Sequence, residues 1–363
     1  MANLNDLPKQ LSFASMGCDV RNGIWEPYVS RGEANGVMLD CSQKPENHIS
    51  CKNPLRDEFI ADVEGLNFSV SLNQGDLPKI PKFIPILEKS FLQSDLSEIP
   101  GDFVGVSIAD IFTSPLTQVG GRLQAPNFRF KPELKESPMF SQKMPILFMS
   151  GQDTLIESLW MQHQELSLFP TLRDAGFRIA TSPNFSVFVG ECPLGHRINQ
   201  KKSLICARML QEAGITPIPH IYPMTNFHLR SYVEYFKTNP TIRTVIINCT
   251  LQRKDPEEVK SVLETVSCLI EEVADLHIIL QGLDVRDVRL FSQYDQNIHY
   301  AVSTPFYNAL FHKQNIFDNE HGEILSVAGS SESKEKLAIG NVDAYLKYFS
   351  HTASSFNIGA ARK

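Results

Sequence analysis

Between residues 145 and 304, short apolar runs alternate with polar turns and helix-like stretches. The runs are Pro145–Met149, Arg178–Val189, Thr216–Tyr222, Thr244–Asn248, His277–Leu280 and Tyr300–Thr304. They are rich in isoleucine and valine and show no alternation with polar residues. That is the pattern of parallel strands buried on both faces. In the middle of the region they recur about every 30 residues, the length of a strand–loop–helix–loop unit. The stretch Arg197–Ala213 between them sets Ile198, Ile205 and Met209, with Cys206, Leu210 and Ala213 one stripe over, on one side. Lys201, Lys202, Arg208 and Gln211 fall towards the other. This predicts an amphipathic helix, and Gly214 follows where a helix ends in a left-handed residue. Asp255-Pro256-Glu257-Glu258 predicts a second helix start: an acid at the cap, proline at the first position and acids against the positive helix end. Thr225 or Asn226 caps a helix running to about Phe236, and Ser331 or Ser333 caps a last helix, Glu335–Phe349.

The first 140 residues are different. Loop signals crowd them, among them Asn35-Gly36, Asn73-Gln74-Gly75-Asp76, Pro100-Gly101 and Gly120-Gly121. Strand-like runs occur at Gly36–Leu39 and Phe103–Ile108, and Ile84–Leu96 reads as a helix. The expected organisation is an irregular N-terminal region, 1–140, contributing strands and loops, a barrel-like domain, 141–350, and a flexible tail, 351–363. Two α/β architectures fit. One is a TIM-barrel-like (β/α) domain, complete or distorted, with the N-terminal region supplying its missing strands. The other is an open doubly wound sheet. The barrel is preferred because no glycine-rich first turn of dinucleotide type follows any run.

Composition narrows the partners. The 363 residues are 42% hydrophobic and 21% charged, with a formal net charge of −7. That is a globular mix without the overall basic balance of a chain that grips nucleic acid by its phosphates. The seven cysteines are odd in number and form no C-x-x-C pair, which favours reduced thiols over a disulfide framework. Met1–Leu11 lacks the apolar core of a signal peptide, and no run approaches the roughly 20 apolar residues of a membrane span. A cytoplasmic protein without membrane partners is expected.

In an α/β fold of this kind the polar residues ending the strands converge on one rim. Here that rim is rich in amides and hydroxyls, which suits a polar small molecule or a nucleic-acid base and suits a bare metal ion poorly; no metal or cofactor is expected. Asn248, Gln252, Gln281 and Gly282 are the candidate ligand-binding residues. Asp153 and Asp284 are the candidate acid–base pair, since two acids in different surroundings can divide those roles. Each can instead cap the helix that follows it. His220, after Pro217-x-Pro219, is a third catalytic candidate or a structural core histidine. Glu191-Cys192-Pro193-x-x-His196-Arg197 is the densest reactive cluster, or else a loop with His196 at a helix cap. Lys201, Lys202 and Arg208, with Arg197, form a basic helix face open to phosphates or merely to solvent.

Ser150-Gly151-Gln152-Asp153 with Glu157 and Trp160, Ser182-Pro183-Asn184-Phe185-Ser186, Cys192-Pro193-Leu194 and Ala213-Gly214-Ile215-x-x-Ile218-Pro219-His220-Ile221-Tyr222 resemble a bacterial and phage family known only as a domain of unknown function. The resemblance spans roughly residues 145–300 and implies a barrel-like α/β fold. His277–Gly282 also resembles the Gln-Gly ligand turn of tRNA-guanine transglycosylases, and Val37-Met38-Leu39-Asp40 their aspartate-ended strand, though the zinc-binding cysteines of those enzymes are absent. That resemblance implies ligand-binding roles for Gln281, Gly282 and Asp40. The expectation is a barrel enzyme acting on a polar nucleobase- or sugar-type substrate by carboxylate acid–base chemistry, transglycosylase-like at its most specific. The alternative is a non-catalytic recognition protein of phage defence or mobile-element biology.

Overall fold

The computed structural model describes residues 56–360 apart from 114–117, 120–121, 124–128, 165, 188–192 and 330. Eight strands form two parallel sheets. They are β1 (Phe83–Pro85), β2 (Phe103–Ser107), β3 (Met144–Phe148), β4 (Ile179–Thr181), β5 (Thr216–Ile218), β6 (Thr244–Asn248), β7 (His277–Gln281) and β8 (Ile298–Val302). One sheet has the order β1-β8-β7-β6 and the other β2-β3-β4-β5. Single parallel bridges join their edges, Ile86 with Gly105 beside β1 and β2, and His220 with Ile246 beside β5 and β6. The chain N-terminal to residue 141 therefore supplies two of these strands.

The apolar runs resolve into two faces. Ile246 and Ile279 point to one side, while Val245, Ile247, Ile278 and Leu280 point to the other, the two-residue period of a strand. Every one of the eight strands sends a residue to the inner cluster: Ile84, Phe103, Ile146, Ile179, Ile218, Ile246, Ile279 and Ala301, with Phe148 beside them. The outer faces pack against helices, chiefly α1 (Asp153–Gln162), α2 (Leu168–Asp174), α3 (Pro193–Glu212), α4 (Asn226–Thr238), α5 (Pro256–Glu272), α6 (Thr304–Leu310) and α7 (Lys334–Ala360). Burying an isoleucine or phenylalanine side chain contributes about 1.5–3 kcal/mol, so filling both faces of short strands is what holds them. Gly105 shows how tight the inner side is: a Cβ there would lie 2.7 Å from the Phe148 ring and 2.8 Å from the Ile86 side chain.

Caps mark the helices as the sequence signals them. Thr225 Oγ1 accepts from His228 N and opens α4. Asp255 accepts from Glu257 N and opens α5, with proline at the first position. Two predicted elements differ. Ile84–Leu96 is not a helix: it holds β1 and a short 3-10 turn, Lys89–Phe91, because Pro85 cannot continue a helix and Ile84 and Ile86 are drawn into the inner cluster. The last helix runs on past Phe349 to Ala360; Phe349 stacks on Tyr300 and Phe83 at ring distances of 4.9 and 5.2 Å, which docks α7 over β1 and β8. Beyond α6, β9 (Lys313–Asp318) and β10 (Glu323–Ala328) form an antiparallel hairpin. No helix among the described residues is long and apolar enough to cross a membrane.

The seam between β5 and β6 carries few backbone bonds, and a buried side chain completes it. Gln74 donates from Nε2 to the carbonyls of Pro217 (2.9 Å) and Thr244 (2.7 Å) and accepts at Oε1 from the N–H groups of Arg243 (2.8 Å) and Thr244 (2.9 Å). Gln74→Leu strands these four backbone groups, three of them buried and each of those costing roughly 1–3 kcal/mol if left unmade. We expect a loss of about 3 kcal/mol or more in chemical denaturation, against a change within about 0.5 kcal/mol for the exposed neighbour Asp76→Ala.

Candidate functional site

The ends of β3 to β7 meet in one cavity of about 770 Å³. Its walls are Ser150, Gln152 and Asp153 after β3, Asn184 and Ser186 after β4, Tyr222 and Met224 after β5, Asn248, Thr250 and Gln252 from β6 onward, Gln281 at the end of β7, and Glu258 from the first turn of α5. Register explains part of this. Asn248 pairs with Gln281 across β6 and β7, so the two amides stand at the same level. A second cavity of about 860 Å³ adjoins the first, shares Tyr222, Met224, Gln252 and Glu258 with it, and runs outward along α4 and α5.

The amides are oriented by the protein. Ser150 Oγ donates to Gln281 Oε1 at 2.8 Å. Asn248 Oδ1 accepts from Thr250 N (3.0 Å) and Thr250 Oγ1 (2.6 Å). With their oxygens engaged, Gln281 and Asn248 have NH2 groups to offer a ligand. Tyr222 donates its hydroxyl to the Asn248 carbonyl at 2.8 Å, and the side chains of Asn184 and Gln252 line the cavity beside it. The carbonyl oxygens of Asn184 and Gln252 are buried without a partner. The wall thus presents amide donors from Gln281 and Asn248.

Asp153 is the half-buried acid of this wall. It stands in the first turn of α1 but does not cap it; the N-cap is Gln152, whose side chain makes no cap bond. Its Oδ1 accepts instead from the Ser186 hydroxyl. Burial pushes its carboxyl above the usual aspartate range, against the pull of Ser186. One turn further along, Glu157 makes a buried ion pair with Lys202 of α3 at 2.8 Å. Burial also raises Glu157, and Lys202 opposes the rise.

The other predicted residues fall elsewhere. Asp284 does not line the cavity. It caps the 3-10 segment Val285–Tyr294 through Arg286 N and pairs with the Arg286 guanidinium at 2.8 Å, which holds its carboxyl below the usual range. Gly282 has φ +75°, and a Cβ there would meet Thr250 Oγ1 at 2.5 Å; its openness is used by a protein neighbour. His220 is 2% exposed, behind Tyr222, and its ring stacks on Tyr222 at 5.7 Å. Burial holds it neutral, pushed down to about 3. His196 lies inside α3 and is fully buried, not at a cap. The basic face of α3 is not open: Lys201 and Lys202 are buried, Arg197 packs over the Phe68 ring at 4.1 Å, and Arg208 pairs with Glu64 at 2.5 Å. Amphipathy gave the wrong exposed side because loops and rings from distant segments cover it. Asp40, Glu191 and Cys192 lie outside the described residues. Sequence reasoning missed Ser186 and the Glu157–Lys202 pair. Glu157 stands four residues after Asp153, the one local signal of a shared helix face.

No protein-family model and no curated protein matches this chain.

The two aspartates are expected to titrate in opposite senses. The raised Asp153 binds its proton more tightly in the folded chain than in the unfolded one, so its contribution to stability falls as pH rises from the ordinary value of 3.8 through the raised one. Asp284 is the reverse: its contribution is present above 3.8 and is lost as pH falls through the lowered value. At pH 7, Asp153→Asn should melt no lower than the parent chain, whereas Asp284→Ala should lose about 1 kcal/mol as loss of a helix cap does. Thermal melts from pH 3 to 8 check both; a lower melt for Asp153→Asn at pH 7 would return this residue to a structural role.

Proposed function

We propose that the two sheets close into one eight-stranded (β/α) barrel of TIM type, and that the rim cavity is the active site of an enzyme acting on a polar, uncharged nucleobase- or sugar-type substrate. The two edge bridges and the inner cluster fed by all eight strands support the barrel, whose chemistry belongs at the carboxyl ends of its strands. The observation that carries the enzymatic reading is Asp153: a half-buried carboxyl, raised by desolvation, in a wall whose other polar residues are amides, hydroxyls and one further carboxylate, Glu258. A carboxyl moved toward neutral pH can both give and take a proton during turnover.

In this reading Asn248 and Gln281 donate to oxygens or ring nitrogens of the substrate. Glu258, on the same cavity, is the second carboxylate, the place that the sequence suggested for Asp284. At its most specific the reaction is transfer or hydrolysis at a glycosidic bond: Asp153 gives its proton to the leaving atom as its bond to the anomeric carbon breaks, and a water or acceptor hydroxyl, deprotonated by the opposing carboxylate, bonds to that carbon from the other face. The adjoining groove gives the substrate room to extend. It is lined by Asp255, Glu257, Glu258 and Glu264 against Lys260, which disfavours a phosphodiester chain there.

Nucleobases, nucleosides, neutral oligosaccharides and nucleoside phosphates should be compared for thermal stabilisation of the full chain, and the ligands that stabilise it assayed for turnover. A neutral class is expected to stabilise it and the phosphates to do so less. Asp153→Asn should keep binding and lose about 100-fold or more in turnover. If a neutral ligand binds and is never turned over, the chain is a recognition protein; turnover undiminished in Asp153→Asn would remove this carboxyl from the chemistry.

A further inference from the structure

Behind Tyr222 lies a small chamber of about 10 Å³, walled by Asn184, Asn199, Gln200, Ser203, His220 and Tyr232 among others. It shares Asn184 and Tyr222 with the rim cavity. Its volume admits about one water. Asn199 is 0% exposed, Gln200 and His220 2% and Asn184 9%, yet Asn199 Oδ1, Gln200 Oε1 and Asn184 Oδ1 have no hydrogen-bond partner. Their orientation is not free to change. Asn199 donates from Nδ2 to the Ser186 carbonyl at 2.7 Å, and Gln200 from Nε2 to the Tyr222 carbonyl at 3.1 Å. Flipping either amide to satisfy its oxygen would break that bond. One ring nitrogen of His220 leans on the Ser182 carbonyl, and neither reaches hydrogen-bond geometry. The Tyr232 oxygen faces the Tyr222 backbone N–H, and its hydroxyl has no hydrogen-bond partner, so its proton is free to rotate inward. Buried polar groups in such number are not left unmade in a stable fold.

We propose that this chamber binds one resident water, which donates to the side-chain oxygens of Asn199 and Gln200, accepts from the Tyr232 hydroxyl and thereby supports the back wall of the rim cavity. A monovalent cation fits less well. No carboxylate lines the chamber, and the Arg197 guanidinium acts on Tyr232 from nearby, so a buried positive charge would stand uncompensated. The water holds both amides, and both amides hold the site. Asn199 fixes the backbone of Ser186, whose hydroxyl donates to Asp153. Gln200 fixes the backbone of Tyr222, whose hydroxyl reaches the Asn248 carbonyl. Asn199 and Gln200 are positioning residues, acting on the site through others. The presence of the water is independent of what the rim cavity does.

A high-resolution crystal structure of the full chain, with a second crystal grown in rubidium chloride, tests this. One discrete peak is expected in the chamber, about 2.7–3.2 Å from both amide oxygens, with no anomalous rubidium signal. An empty chamber, or a rubidium peak in it, overturns the proposal. The support role is read separately, by carboxyl 13C NMR of Asp153 across pH. In Asn199→Leu the Ser186 hydroxyl loses its fixed aim, so the Asp153 titration midpoint should rise by about half a pH unit. An unmoved midpoint in a folded variant would leave the water without its support role. Should that variant fail to fold, the density in the parent chain decides the proposal alone.

Discussion

The seam between β5 and β6 is the constraint on which the site depends. Two parallel sheets meet there with one bridge, His220 with Ile246. Three devices close it at three heights. Gln74 ties the start of β6 to Pro217 with four bonds. The Pro219 carbonyl and the Ile221 N–H, each 3.0 Å from the Ile246 backbone, hold the middle. At the top the Tyr222 hydroxyl reaches the Asn248 carbonyl at 2.8 Å. Where backbone pairing is sparse, side chains take over hydrogen bonds that a continuous ladder would consume. That substitution leaves polar groups at the upper end of the seam, and both cavities open there, sharing Tyr222.

Charge is arranged in depth behind this rim. Asp153 lines the cavity, Glu157 lies one turn behind it, and Lys202 neutralises Glu157 from α3 at 2.8 Å with both side chains 6% exposed. Lys202 also stands over the Trp160 and Phe185 rings, at 5.7 and 5.2 Å. A buried pair of this kind adds little net stability, but losing one partner leaves an uncompensated charge and is costly. The pair therefore fixes α1 against α3, and the orientation of Asp153 follows from it.

Much of the fold could be read along the chain. Thr244–Asn248, the Asp255 cap and the strand at Phe103 are set by local chemistry: an Ile/Val run, an acid before Pro, a β-branched and aromatic stretch. The rest was hidden because it depends on distant partners. Gln74 looks like turn punctuation beside Gly75, and its partners are 143 and 170 residues away. Lys201 and Lys202 read as a solvated face until loops cover them. The two aspartates are the sharpest case. Each precedes or opens a helix, and the local signal is the same; the Ser186 hydroxyl from the loop after β4 takes one, and Arg286, two residues on, takes the other. Sequence spacing contains the second partner and not the first.

The same logic bears on selectivity. Two amides of the rim have one end bound to protein: Gln281 to Ser150 and Asn248 to Thr250. An amide held at one end cannot rotate to suit its guest, so its other end is a fixed donor or a fixed acceptor. A site built this way discriminates by pattern. A guest whose own donors and acceptors are transposed leaves buried groups unpaired on both sides, and that penalty exceeds what a neutral hydrogen bond contributes when made. Gly282 takes no part in this, since Thr250 fills the space over it; the glycine serves the close approach of β7 to the β6 loop, which is what holds Thr250 against Asn248. The arrangement that shapes the cavity is thus the one that aims its amides, and recognition at this rim would fail by loss of orientation before it failed by loss of contact.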